Sequence, residues 1–559
     1  MLQIFFSSFV IILLFSPFGI FFSNREKSIS SFSSQLIYSS IVISFIALFL
    51  NFFIPLSLYV NSFLILFALY FIFKDWNLYF SKNYLIFLLL TSSIIFLLIT
   101  NSHTYRPDSG LYHFPYINIL NNEKIIVGIA NLHFRFGHIS IIQYLSAISN
   151  NLILGINGMV LPPALIASAV IVNFSGHFFL YIKKNELNFH FYFVFASIIY
   201  IFYKMNRYGE YGNDAPSHFL FFFLVAEIIR SLQENNIKKI ANFFLLSTFI
   251  ILNKITLLFS IFLPLILINK KNFFEIFKEK KIFFSLIFLV LWLIKNLLVS
   301  GCFVYPVKET CLGHVEWTDL KKVEYVSNEN EAWAKNWPSF RKNNPENLNH
   351  KNYIKNFNWV ETWIKNYSIN IIKILLPYII FLLLIYLVLK NNNFKKNAQI
   401  KVIKINLLLI ILLISSIFWF LKVPVYRYGY SYLISFIAVI FSYQCSIFSI
   451  KANIYKFFYF LFIILAFVFF LKNGQRILVN NIKYNNSPWP KYYSHSENNL
   501  PPILKSKIIN GKKIYMAPNG YCMYSKAPCT SLDTNIRVKK KIWLFDFFTI
   551  IKKLNLFIY

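Results

Sequence analysis

The sequence predicts an all-α polytopic integral membrane protein with roughly fourteen transmembrane helices. Three observations carry that reading. Of 559 residues, 57% are hydrophobic and 14% charged, where a soluble protein carries about a quarter charged. Apolar runs of about 17 to 25 residues recur, the length that crosses a bilayer core. The loops between those runs also alternate in charge, as cytoplasmic and outward loops do.

The runs fall at about 4–22, 36–53, 59–73, 84–100, 160–182, 189–203, 215–231, 241–253, 256–269, 282–300, 371–389, 405–421, 432–450 and 457–473. The first lacks a basic start and a small-residue cleavage site, so it reads as a span and not a signal peptide. The pair 241–269 is short enough to be re-entrant. Loops 24–35, 74–83, 183–188, 233–240, 270–281, 390–404 and 451–456 are Lys- and Arg-rich; "KNNNFKKNAQIKVIK" has five Lys and no acid. These are expected in the cytoplasm. Segments 101–159, 204–214, 301–370, 422–431 and everything after about 473 then face outward. Segment 301–370 holds nine basic and eight acidic residues. The tail, with "RVKKKIW" and "IIKK", is basic; long translocated segments largely escape the charge rule, so it is expected outside too. The chain divides into N-terminal helices (1–83), a membrane core (84–473) and a tail (474–559). The net charge of +33 reads as loop Lys and biased composition, with no nucleic acid as partner; the lipid bilayer is the expected partner.

Four of the five cysteines form spaced outward pairs, Cys302 with Cys311 and Cys522 with Cys529; Cys445 lies in a span. The pairs predict disulfides in an oxidising compartment, with unpaired structural thiols as the alternative. The spacings are not those of zinc knuckles.

Candidate chemistry gathers on the outward segments. In "RPDSGLYHFPYINIL", Asp108, Tyr112 and Tyr116 share one helical stripe, which predicts a short interfacial helix with aromatics at headgroup depth. Asp108 suits an N-cap or a general base or metal ligand. His113, His133 and His138 are structural or metal-binding. Asn131, His133 and Arg135 alternate as on an extended face that could hold a phosphate or sugar. In "KMNRYGEYGNDAPSHF", Arg207, Glu210, Asn213 and Asp214 precede a span, with Asp214 either a cap or a second carboxylate. Lys254 in "LNKIT", Lys295 and Asn296, and Arg427 with Tyr428 stand at outward span ends, where snorkelling is the ordinary explanation and a lipid phosphate the functional one. Phosphate loops, Walker motifs and Rossmann fingerprints are missing, so a donor substrate would arrive through the lipid.

The block "RPDSGLYHFPYI" resembles the early-Asp outward loop of polytopic glycosyltransferases of the GT-C fold. More narrowly, D-S-x-x-Y-H, then G-x-x-N-L-H-x-R-x-G (Gly128 to Gly137), "NKIT", "KN…SG…YP" and P-x-x-R-Y-G resemble a GT-C-like group of bacterial envelope proteins, over about residues 84 to 530. The resemblance implies a bacterial inner (plasma) membrane enzyme with an outward site. It would move a sugar from a polyprenyl-phosphate donor to an envelope glycan or lipid acceptor. Asp108 and Asp214 would be catalytic, and Tyr112, His113, Asn131, His133, Arg135, Lys254 and Arg427 would bind substrate. A divalent cation (Mg or Mn) could sit at Asp108. The chain departs from that pattern in having a single Asp followed by Ser109, and in placing this loop after the fourth span. Rival classes are a lipid-linked oligosaccharide flippase or transporter, which should show internal repeats and midplane charges, and an envelope glycan polymerase or ligase.

Overall fold

The computed structural model describes the chain apart from residues 23–25, 103–106, 205–210, 235–238, 270–272, 345–348, 393–401, 449–452, 484–486, 493–501, 519, 532–535, 543–544 and 551–559. Arg207 and Glu210 therefore lie outside the described residues. The protein is a mostly helical membrane protein. Among the described residues nine helices, from Leu2–Gly19 to Ile454–Val479, are long and apolar enough to cross a bilayer. Four shorter apolar helical segments, Leu58–Lys74, Phe189–Lys204, Ile240–Asn253 and Ile255–Leu267, join them.

Local chemistry sets several boundaries. Ser28, Ser57 and Ser81 each accept a backbone N–H from three residues on, at 3.2, 3.4 and 3.3 Å, and so start the helices Ile29–Leu50, Leu58–Lys74 and Lys82–Ile99. This satisfies donors that lipid cannot. Hydroxyls within spans turn back on their own helix, as Ser168 does to Ala164 and Ser197 to Phe193. Two helices form the centre: 83% of both the Gly155–Lys184 and Asp214–Glu234 windows is buried in protein. Val360–Asn391, Val402–Lys422 and Ile454–Val479 are 22–28% buried and offer their flanks to lipid.

The segments expected to face outward meet one another at one end of the bundle. Asn51, after its helix, donates to the Glu123 carbonyl at 3.0 Å. Asn131 donates to the Trp317 carbonyl at 3.0 Å. The basic loops meet at the other end, where Asn83 donates to the Lys27 carbonyl and Tyr455 to the Asn185 carbonyl.

Three features differ from the sequence expectations. Run 256–269 is not α-helix but 3-10, Ile255–Phe262 and Pro264–Leu267, after a break at Lys254. The last long helix, Asn453–Lys483, continues past the end expected near 473. Beyond Lys483 the described part of the tail is extended and closes two small sheets. One is the hairpin Lys505–Ile509 and Lys512–Met516 with Cys529–Thr530 alongside Tyr515 and Met516; its Asn510–Gly511 turn has positive φ at both residues, the geometry of a two-residue hairpin. The other pairs Ile536–Ile542 with Phe545–Ile550, and the latter with Ile126–Val127.

The hairpin of helices Val402–Lys422 and Tyr426–Ser446 is closed by Trp419, whose indole N–H donates to the Val425 carbonyl at 2.9 Å. Its ring lies flat against Gly429, where a Cβ would come within 2.2 Å of Trp419 Cδ1. That explains the Gly of the P-x-x-R-Y-G motif. Gly429→Ala should therefore cost about 1–3 kcal/mol by overpacking, read as a lower unfolding temperature of the detergent-solubilised protein.

Candidate active site

Asp108 is in αR backbone at the start of the single-turn π-helix Ser109–His113, and its side chain caps nothing. The N-cap reading of this residue is thus not what the fold uses. A π turn widens the helix and re-aims its side chains, a device frequent at functional sites. The turn runs into helix Phe114–Asn122, whose Phe114, Tyr116, Ile117 and Ile119 are buried. The expected interfacial helix is instead packed inside the protein.

The Asp108 carboxylate faces two guanidinium groups, Arg135 at 3.4 Å and Arg427 at 3.6 Å. Arg427 also reaches Asp214 at 3.8 Å. Asp214 is hydrogen-bonded in turn by the Lys254 ammonium. The result is one alternating chain, Arg135–Asp108–Arg427–Asp214–Lys254, drawn from four separate segments. Tyr112 lies under Arg135 (5.1 Å), and Tyr428 lies under both Lys254 (3.9 Å) and Arg427 (4.9 Å), so each cation also rests on an aromatic face. The two ends differ. Lys254 and Asp214 are 14% and 20% exposed, whereas Asp108 is 27% and Arg427 42% exposed. Ion pairs as long and open as those of Asp108 contribute about 0–1 kcal/mol, so they are easily exchanged for another anion. The Lys254–Asp214 pair is the more enclosed one.

Asn253 places the enclosed end. Its amide donates to the Ser217 hydroxyl at 2.6 Å and the Asn213 carbonyl at 3.3 Å, and its side-chain oxygen accepts from Ser140 at 2.6 Å. These bonds tie the break between Ile240–Asn253 and Ile255–Phe262 to the starts of two other helices. Thr256 donates to the Tyr428 carbonyl at 3.1 Å, and Tyr432 donates back to the Thr256 carbonyl. His218 bonds Ser431 (2.7 Å) and the Arg427 carbonyl (2.9 Å). "NKIT" is thus a hub, and Asn253 is a residue the sequence reading passed over. Its one signal was its place directly before the ammonium at a helix break.

The other candidates are placed elsewhere. His113 lies just behind the chain, its Nδ1 3.2 Å from the Gln143 amide nitrogen. The Gln143 oxygen accepts from Ser140 N, so its NH2 faces His113 and the imidazole accepts. His133 accepts from Arg135 N at 3.2 Å and stacks on Phe134; it shapes the Arg135 turn and does not join the cluster. Asn131 staples the Trp317 and Phe548 carbonyls. Residues 129–137 form 3-10 turns, Ile129–Asn131 and Phe134–Gly137, so Asn131, His133 and Arg135 share no extended face. Lys295 is buried on Asn51 (2.7 Å), apart from the chain. The disulfides Cys302–Cys311 and Cys522–Cys529 are formed. Glu329, on helix Leu320–Ala334, also senses Arg135 and has its carboxyl pushed up by burial. Nothing in the local sequence singles it out; its neighbour Asn330 brings it in by bonding His138 at 3.3 Å.

Among the described residues no group of three or more His, Cys, Asp or Glu side chains is placed to hold a metal ion. Both carboxylates of the chain are already covered by three cations. That donor set does not fit a divalent cation.

Residues 1–434 match the family described as Domain of unknown function (DUF8201). The chain belongs to this family. The match takes in all five charges of the ion-pair chain and stops short of the tail. No curated protein and no solved structure matches the chain.

In this family member burial lowers His113 to about 4 and His133 and His138 to about 3, with Arg135 adding to each. The unfolded chain would protonate them near pH 6.5. Their neutral, buried forms are fully favourable above that value, and stability is lost as pH falls from about 6.5 towards 3. Thermal stability in detergent should be flat above about pH 7 and fall on acidification, and His113→Gln should shrink that fall.

Proposed function

We propose that the chain is a membrane glycosyltransferase of GT-C-like architecture, with its roughly fourteen apolar segments as spans and its site on the outer face of a bacterial plasma membrane. It would transfer a sugar from a polyprenyl-phosphate-linked donor to a cell-envelope glycan or lipid acceptor. The observation that carries this reading is the ion-pair chain: three cations hold two carboxylates where outward loops meet apolar helices, and the exposed end is weakly paired.

An incoming lipid phosphate competes with Asp108 for Arg427 and Arg135. On exchange, the arginines neutralise the phosphate and Asp108 is released. Asp108 then accepts the proton of an acceptor hydroxyl as that oxygen bonds the sugar carbon. The sugar–phosphate bond breaks, and the lipid phosphate departs with its electron pair beside Arg427, Arg135 and Lys254. Cations fixed in advance at the leaving group lower the barrier because they need no reorganisation. Asp214 keeps its ammonium partner throughout and acts by holding Lys254 and Arg427 in place. The absence of any soluble-nucleotide motif supports a lipid-borne donor.

Two measurements test this. Asn344 is exposed on the 301–370 segment, so Asn344→Cys should react with an impermeant maleimide in intact cells; labelling only after lysis would invert the orientation. Asp108→Asn should insert and fold normally yet transfer about 10²- to 10⁴-fold more slowly, the contribution of a general base. The readout is lipid-linked sugar accumulating in a deletion strain, which wild type clears and Asp108→Asn does not. Wild-type complementation by Asp108→Asn would remove the enzyme reading's principal residue.

A further inference from the structure

The tail lies beyond the part of the chain that matches the family, yet it reaches back to the turn that carries Asp108. Met523 N–H donates to the Gly110 carbonyl at 2.9 Å. Gly110 is the second residue of the π turn, two positions after Asp108. The nearest atoms to a Cβ built there are all from the tail: Met523 Sδ at 2.2 Å, Tyr521 Cδ1 at 3.4 Å and Met523 Cε at 3.5 Å. Met523 is 4% exposed and itself has positive φ. It is gripped within the loop closed by Cys522–Cys529, both cysteines being buried.

The loop and the strands beside it are anchored on several points of the 101–159 segment. The Tyr524 hydroxyl donates to Asn121 at 3.0 Å and accepts from Asn150 at 3.2 Å. The Thr530 hydroxyl donates to the Leu132 carbonyl at 3.0 Å. Lys512 meets Glu123 at 2.6 Å. On its far side the turn is held by Ser109, which donates to the Tyr211 carbonyl at 3.0 Å, three residues before Asp214.

We infer that the disulfide-closed tail loop 522–529 is a positioning element of the active site, in which Met523, seated against Gly110, sets where the π turn presents Asp108 to Arg135 and Arg427. The role follows from the geometry of the pairs. Asp108 sits 3.4–3.6 Å from its two cations, so a small displacement of the turn loses one partner or the other. Nothing on the Asp108 side chain itself fixes the turn. The inference rests on the transferase reading for its catalytic consequence, but the contact can be tested without it.

The experiment is a bump-and-hole cycle on the full chain. Alanine is intrinsically better than glycine in a helix by about 1 kcal/mol, so a loss in Gly110→Ala reports the clash and not helix propensity. Gly110→Ala should lower transfer at least about fivefold, and Met523→Ala in the same chain should bring it back to within about twofold of Met523→Ala alone, as contacting residues couple. Independently of activity, hydrogen exchange of residues 108–114 should rise about tenfold or more in Cys522→Ser/Cys529→Ser and in Met523→Ala, while the core helix 161–184 keeps its protection. If the double cysteine variant does not insert, Met523→Ala, which keeps the disulfide, decides the exchange comparison. Unchanged exchange at 108–114, or a Gly110→Ala loss that Met523→Ala does not relieve, overturns the proposal. A wild type that transfers nothing overturns the transferase reading instead, and the exchange comparison still decides the positioning contact.

Discussion

A helix that stops inside a membrane protein leaves backbone and side-chain polar groups that lipid cannot satisfy. The break at Asn253–Lys254 is where this chain meets that constraint, and much of the site is its solution. Asn253 supplies donors and an acceptor to Ser217, Asn213 and Ser140, and the three segments so joined are those that carry Lys254, Asp214 and the loop of Arg135. An ammonium left at the break needs a counter-charge and finds it in Asp214. Arg427 then links that pair to Asp108.

The charges are graded as well as paired. Towards Lys254 they are enclosed; towards Arg135 they are open and loosely held. A uniformly tight cluster would be a structural ion-pair network with no reason to exchange. A uniformly open one would have no fixed geometry. The aromatic faces of Tyr112 and Tyr428 steady the cations, and the Tyr428 hydroxyl accepts one Arg427 N–H at 2.9 Å, which leaves the other guanidinium donors to meet an anion.

The helical runs were legible because lipid imposes one simple rule, an apolar run of a given length, on each stretch separately. The acidic and basic members of the ion-pair chain were legible as residue types: Asp214, Lys254 and Arg427 at span ends, and Asp108 and Arg135 on the long loop 101–159. Their connection was not, because Arg427 and Asp108 are joined across most of the chain and no local pattern encodes that. Asn131 and His133 read as site residues from their alternation with Arg135 and from the resemblance; their partners, the Trp317 and Phe548 carbonyls and the Arg135 amide, are structural. The tail sheets were missed for a different reason. Strand Phe545–Ile550 is completed by Ile126–Val127, and so short a strand, paired so far away, carries no periodicity of its own.

The tail's return to the 101–159 loop has a consequence for biogenesis. Asn121 and Tyr524, which share a hydrogen bond, are 403 residues apart. At about 5–20 residues per second of synthesis, the loop waits roughly 20–80 s for its partner. For that interval Asn121, in the helix Phe114–Asn122, is without its Tyr524 partner. A ribosome that stalls late would leave the apolar helices made and Asn121 still without its Tyr524 partner.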